Sequence, residues 1–158
     1  MTNRAAILLG SNIEPEANLA AALERLDQHE ALDVLATSAV YRSDPVGPAG
    51  QPPFLNAAVV LETPLPPEEL RAELRRIEAQ LGRVRSEDRF APRPIDLDIV
   101  LYGDVEADFD GWKLPDPDLE LPHVLVPLAE IAPDWVVPGR QESLAELAAQ
   151  ADRSGLTS

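Results

Sequence analysis

Residues 95–102 read IDLDIVLY, and this alternation fits a strand with one face in a core and the other facing away from it. Ile95, Leu97, Ile99 and Leu101 fall on one side; Asp96, Asp98, Val100 and Tyr102 fall on the other. Such a strand needs a sheet with one covered face. The second face must also accommodate two acids whose β-carbons stand roughly 6–7 Å apart. Carboxylates so placed repel unless they share cations. Hard oxygen donors on a rigid element suit Mg²⁺, which takes one or two carboxylates and completes its shell with water and substrate phosphates. Just upstream, RVRSEDRFAPR supplies Arg83, Arg85, Arg89 and Arg93, whose planar guanidinium forks match phosphate oxygens. On this segment alone a competing reading stays open, in which the arginines only neutralise the acids as surface ion pairs.

The remaining chain supplies a sheet for this strand. RAAILLG, residues 4–10, reads as a buried strand ended by the turn residues Gly10, Ser11 and Asn12. Pro15 suits the first turn of a helix that Leu19, Leu23 and Leu26 carry to about Gln28. LDVLATSAVYR, residues 32–42, is a second strand of irregular alternation. SDPVGPAGQPP, residues 43–53, is a loop. FLNAAVVLET, residues 54–63, is a strand that pairs with the second. A helix opened by Pro66 and Pro67 follows, carried by Leu70, Leu74, Ile77 and Leu81 and stopped at Gly82. The order strand, helix, strand, strand, helix, strand predicts an α+β fold of the ferredoxin-like, split βαβ kind, an antiparallel sheet with both helices on one face.

After Gly103 the expectation is a C-terminal extension. It comprises an acidic, proline-punctuated stretch with a short hairpin, a short apolar or helical segment over residues 124–131 and an extended piece over 135–137. A terminal helix over residues 143–150 has Ser143 near its cap, and the tail after Asp152 is expected to fray.

A chain of 158 residues is the size of one domain, expected to run over residues 1–158. It has no cysteine, which removes disulfides, zinc-thiolate sites and thiol nucleophiles. A formal net charge of −15 argues against nucleic acid and anionic membrane surfaces as partners. No long apolar run is present, and the short one after Arg4 reads as a strand rather than a signal peptide. The cytoplasm is therefore the default location, and a monomer is expected. The charge is uneven, however: seven arginines lie between Arg71 and Arg93, and acids crowd the segment from Asp104 to Glu120. A basic patch on an acidic protein suits a small polyanion such as a nucleotide. Neither GxxxxGKS/T nor GxGxxG after a strand is found, so P-loop and dinucleotide chemistry have no support. With only His29 and His123, the chain is poor in the extra ligands that a two-metal nuclease recruits.

Four blocks in order, LGSNIEPEANL, YRSDPVGPAGQPPFLNAAVVLET, LGRVRSEDRFAPRPIDLDIVLYG and VLVPLAEIAPDW, make nearly the whole chain resemble the 6-hydroxymethyl-7,8-dihydropterin pyrophosphokinases of folate biosynthesis. The resemblance implies a ferredoxin-like fold, two Mg²⁺ ions, and transfer of pyrophosphate from ATP to the pterin hydroxymethyl group with release of AMP. It further implies that Asp96 and Asp98 hold the metals and that Arg83, Arg85 and Arg93 clamp phosphate oxygens. Arg83 and Arg93 join the two acids as catalytic candidates. Glu78 and Ile99 match positions near the nucleotide, although Glu78 also fits a helix-surface partner of an arginine. Ser43, Asp44, Val46 and Asn56 match the pterin pocket, and Phe54 and Phe90 match aromatics against the ring, with plain core packing as the alternative for each.

The chain departs from the family at LPDPDLELPHVLVPL. The alignment with the smallest gap sets Asp116 at the family's usual histidine, Leu121 at a usual phosphate-binding arginine and His123 at a usual stacking aromatic. His123 is then expected against the pterin face opposite Phe54, the alternative being an ordinary loop histidine. Lys113 is the candidate substitute for the missing arginine.

Overall fold

Four long strands carry the computed structural model, which describes residues 2–44, 52–82 and 94–157. In chain order the elements are β1 (Asn3–Ser11), α1 (Pro15–Gln28), β2 (Asp33–Thr37), β3 (Tyr41–Ser43), β4 (Phe54–Thr63) and α2 (Pro67–Gln80), followed by β5 (Asp96–Tyr102), the hairpin β6 (Ala107–Phe109) and β7 (Trp112–Leu114), α3 (Pro122–Ile131), α4 (Leu144–Ala149) and β8 (Leu156–Thr157). The main sheet runs β5-β1-β4-β3-β8, with β2 also on β4, and every pair is antiparallel. With β2 and β3 taken as one interrupted strand, this is the ferredoxin-like order.

Each face of the sheet has its own cover. Leu19, Ala22 and Leu26 of α1 and Leu70, Leu74 and Ile77 of α2 recur at helical spacing and pack on Ile7, Leu9, Val59, Leu61 and Leu97. On the opposite face Val124, Leu125 and Leu128 of α3, with Leu144 and Leu147 of α4, pack on Ala6, Leu8, Ala58 and Val60. The C-terminal extension is thus a third layer. Two covers are what the continuous apolar runs AAILL and AAVVL in β1 and β4 require, since residues of both parities are buried. The helix α4 opens on a capping box, in which the Glu146 N–H donates to Ser143 Oγ and the Ser143 N–H to Glu146 Oε1, each at 3.2 Å.

Four expectations need correction. The second strand breaks at Ser38–Val40, because buried Ser38 takes over part of the ladder. Its N–H donates to Ala58 O at 2.9 Å and its hydroxyl accepts the Ala58 N–H at 2.8 Å. In β5 the alternation holds only to Ile99. The register against β1 steps from Ile7–Ile99 to Ala6–Leu101, so Val100 is the extra residue of a bulge. Tyr102 is thereby carried away from the acids into the α1/α2 core, where its hydroxyl donates to Leu65 O at 2.6 Å. Gly10 and Ser11 are strand residues rather than a turn, paired with Asn56 and Leu55. Finally, the tail does not fray: Leu156 and Thr157 pair with Ser43 and Arg42, and the Asp44 N–H donates to Gly155 O at 3.1 Å.

Candidate active site

Register decides which side chains share a face. Asn56, Gly10 and Asp96 form one row across β4, β1 and β5, and Ala58, Leu8 and Asp98 form the next. Paired residues project to the same side, so both acids lie on the α3/α4 face. There the apolar cluster of the described residues reaches the Leu8 row. The row beyond it is polar at both ends with a glycine between.

The acids open on a cleft of about 700 Å³ that wraps the outer edge of β5 and is bordered by Asp96, Asp98, Ile99, Arg71, Arg75, Lys113, Asp116 and the hairpin residues Phe109 and Trp112. The hairpin rings stack at 4.1 Å, and the Arg71 guanidinium lies 5.0 Å from the centre of the Trp112 ring. An edge strand leaves backbone groups without a neighbouring strand, and here an ion pair from α2 replaces one. Glu78 Oε2 accepts the Leu97 N–H at 2.7 Å, while Arg75 Nη1 donates to Leu97 O at 2.7 Å and to Glu78 Oε2 at 2.9 Å. These bonds satisfy a carboxylate that is only 2% exposed. Arg75 Nη2 then reaches Asp98 Oδ1 at 3.4 Å. Glu78 therefore lies beneath the strand, bound to an arginine but not on the helix surface.

The electrostatics of the pair fit a cation. Enclosure in the cleft, and after it the charge of Asp96, push the Asp98 carboxyl up to about 7, with Arg75 opposing and Asp116 adding to the rise. Burial likewise raises Asp116, against the hydrogen bond it accepts from the Asp118 N–H at 2.7 Å. Among the described residues, no three His, Asp or Glu side chains gather as a ready-made metal site. Two carboxylates on one rigid strand, unable to ionise together without cost, are still a donor set that fits Mg²⁺, whose other ligands come from water and phosphate.

At the far end of the polar row, Asn56 Nδ2 donates to Ser43 Oγ at 2.8 Å, and Phe54 is paired with Ser43. Phe54 is half-buried and, among the described residues, belongs to neither core cluster. Asp44 lies at the end of β3, held by the tail. His123 is in the first turn of α3 and not in a loop. Burial lowers its pKa, against the Asp118 charge, which keeps the ring neutral at neutral pH. Leu121 is the N-cap of α3 and is 44% exposed. Val46, Arg83, Arg85, Arg89, Phe90 and Arg93 lie outside the described residues.

Sequence reasoning missed the roles of Arg71, Arg75 and Trp112. The two arginines were visible only as part of a basic window. A signal existed: Arg71, Arg75 and Glu78 share one stripe of α2, next to the buried stripe of Leu70, Leu74 and Ile77.

A family model described as 7,8-dihydro-6-hydroxymethylpterin-pyrophosphokinase matches residues 6–133. The chain belongs to this family. It is 45% identical over 162 residues to the 2-amino-4-hydroxy-6-hydroxymethyldihydropteridine pyrophosphokinase of Methylorubrum extorquens, covering 97% of this chain and 96% of that one. It is 41% identical over 150 residues to the enzyme of the same name from Synechocystis, covering 94% and 76%. In fold it is similar to a Plasmodium falciparum HPPK-DHPS crystallised with pterin and p-hydroxybenzoate, with a TM-score of 0.77 and 11% identity. That match covers 99% of this chain and 46% of the crystallised one, so the chain spans less than half of that longer polypeptide. Among the described residues, no helix is long and apolar enough to cross a membrane.

Proposed function

We propose that this chain transfers the β,γ-pyrophosphoryl group of ATP to 6-hydroxymethyl-7,8-dihydropterin in folate biosynthesis, acting as a cytoplasmic monomer of one domain over residues 1–158. The hydroxymethyl oxygen bonds to the β-phosphorus and gives up its proton to solvent as the bond to the α,β-bridging oxygen breaks, giving the pterin diphosphate and AMP. One observation carries the reading: Asn56 and Asp96 end the same row of the sheet, their backbones two strand spacings or roughly 10 Å apart. That span suits a pterin held at one end and a phosphate chain held at the other.

Asp96 and Asp98 are the residues that would hold two Mg²⁺ ions, which when bound neutralise phosphate charge. Arg75, braced by Glu78, fixes where Asp98 stands on the edge of β5. Arg71 and Lys113 give the cleft wall positive charge for phosphate oxygens, and Ile99 with the hairpin rings gives it apolar surface for the nucleotide. Arg83, Arg85 and Arg93 complete the phosphate clamp in this proposal. Ser43, Asp44, Val46 and Asn56 form the pterin pocket, with Phe54, Phe90 and the neutral His123 against the ring.

The test is AMP formation by the purified protein. ATP, Mg²⁺ and 6-hydroxymethyl-7,8-dihydropterin together are expected to yield AMP, and omission of any one is expected to abolish it. Tight ATP binding with no AMP in the complete mixture would overturn the proposal.

A further inference from the structure

The strand β3 is three residues long, and among the described residues Tyr41, Ser43 and Asp44 belong to neither core cluster. Hydrogen bonds rather than core packing hold it in place. On one side β4 pairs Tyr41 with Asn56 and Ser43 with Phe54, and Ser43 Oγ accepts one N–H of the Asn56 amide at 2.8 Å. That bond fixes which way the amide faces. On the other side β8 pairs Arg42 with Thr157 and Ser43 with Leu156.

A turn brings β8 to this edge. Asp152 Oδ1 accepts the Ser154 N–H at 2.9 Å, and the Leu156 N–H donates to Arg153 O at 3.1 Å. Gly155 lies within the turn at a φ of 80°, and its carbonyl accepts the Asp44 N–H at 3.1 Å. The Asp44 side chain lies over the same residue. A β-carbon on Gly155 would stand 2.7 Å from Asp44 Oδ2, closer than non-bonded carbon and oxygen approach, so any side chain there forces Asp44 to move. Glycine meets two separate demands at this position: it accepts the left-handed backbone, and it leaves room for the neighbouring carboxylate.

We propose that residues 152–157 are a strap that positions the pterin wall, with Gly155 as the positioning residue. Gly155 seats Asp44, and Asp44 sets where the adjoining Ser43 meets the Asn56 amide. The proposal rests on the pyrophosphokinase reading. A side chain at 155 pushes Asp44 off its seat and turns Ser43 away from the amide. Asp96, Asp98 and the nucleotide cleft lie on β5, at the opposite end of the sheet from β8, and keep their geometry.

The test compares Gly155→Ala with Gly155→Asn, because asparagine tolerates the left-handed backbone yet still meets Asp44. It reads thermal midpoint, calorimetric affinity for a non-hydrolysable ATP analogue with Mg²⁺, and calorimetric affinity for 6-hydroxymethyl-7,8-dihydropterin in the presence of that analogue. Both variants are expected to bind the pterin about tenfold more weakly and the nucleotide as wild type does, with Gly155→Asn keeping the wild-type midpoint. In an Asp44→Ala background, Gly155→Asn is expected to cause no further loss of pterin affinity, since the two residues act through one contact. Recovery of pterin affinity in Gly155→Asn would show that only the backbone conformation matters and overturns the seat. So do equal weakening of both ligands, failure of both variants to fold, and losses that add in the double variant. Wild type that binds no pterin overturns the functional reading and the strap with it.

Discussion

The two faces of the central sheet are covered by different parts of the chain and to different extents. On one face, α1 and α2 come from within the split βαβ unit and close over Ile7, Leu9, Val59 and Leu61. On the other, α3 and α4 come from the C-terminal extension and cover Leu8 and Ala58, then stop short of Asn56, Gly10 and Asp96. The closed face supplies stability. The margin of the incomplete one leaves Asp96 and Asp98 half-buried on a rigid sheet, which is where chemistry can be placed without disturbing a core.

If that division holds, substitutions should separate turnover from stability according to face. The largest effect is expected from replacing both Asp96 and Asp98 with asparagine. AMP formation should fall roughly 10³-fold or more, the size of losing a main source of transition-state charge stabilisation, while the thermal midpoint is retained. Turnover that survived would break the comparison outright. On the closed face, Leu74→Ala empties a fully buried position and should cost about 3 kcal/mol in urea unfolding, with turnover per folded molecule unchanged.

Smaller effects sharpen the boundary. Lys113→Ala should raise the KM for ATP about tenfold with little change in kcat, as expected for one charge-assisted contact. Unchanged ATP affinity would remove Lys113 from the phosphate site. Ser143→Ala removes the cap of α4 and should cost about 1 kcal/mol of stability, read by thermal unfolding.

The smallest effect is in pH. Asp98 keeps its proton in the folded state up to about 7, whereas its ordinary value is 3.8, so folding takes up a proton between those limits. The metal-free fold has this contribution in full below the lower limit and loses it as pH rises through about 7. Solvent screening moderates the loss, because the side chain is 37% exposed. Thermal midpoints measured without Mg²⁺ should fall across that window, and Asp98→Asn should flatten the fall.

The closed face was legible in the sequence because its signals are periodic. Leu70, Leu74 and Ile77 recur as a helix requires, and β4 begins and ends where its composition does. The pair Asp96 and Asp98 was legible for the same reason, up to the bulge at Val100, where one added residue reverses every later side chain without altering composition. The break at Ser38 depends on a hydroxyl meeting Ala58, which is 20 positions away and invisible to local pattern. Arg75 was lost for a related cause. Its role comes from the edge of β5, and nothing near Arg75 in the sequence says that such an edge will lie beside it.

The strand formed by Leu156 and Thr157 bears on how the protein is made. It is the outermost rail beside Ser43, and the preceding Gly155 carbonyl receives the Asp44 N–H, so a later-made segment meets an earlier one at one candidate pocket wall. During synthesis the helices and central strands can assemble on the ribosome well before that rail exists. A nascent chain short of residue 156 leaves this edge of β3 open to whatever strand it encounters first.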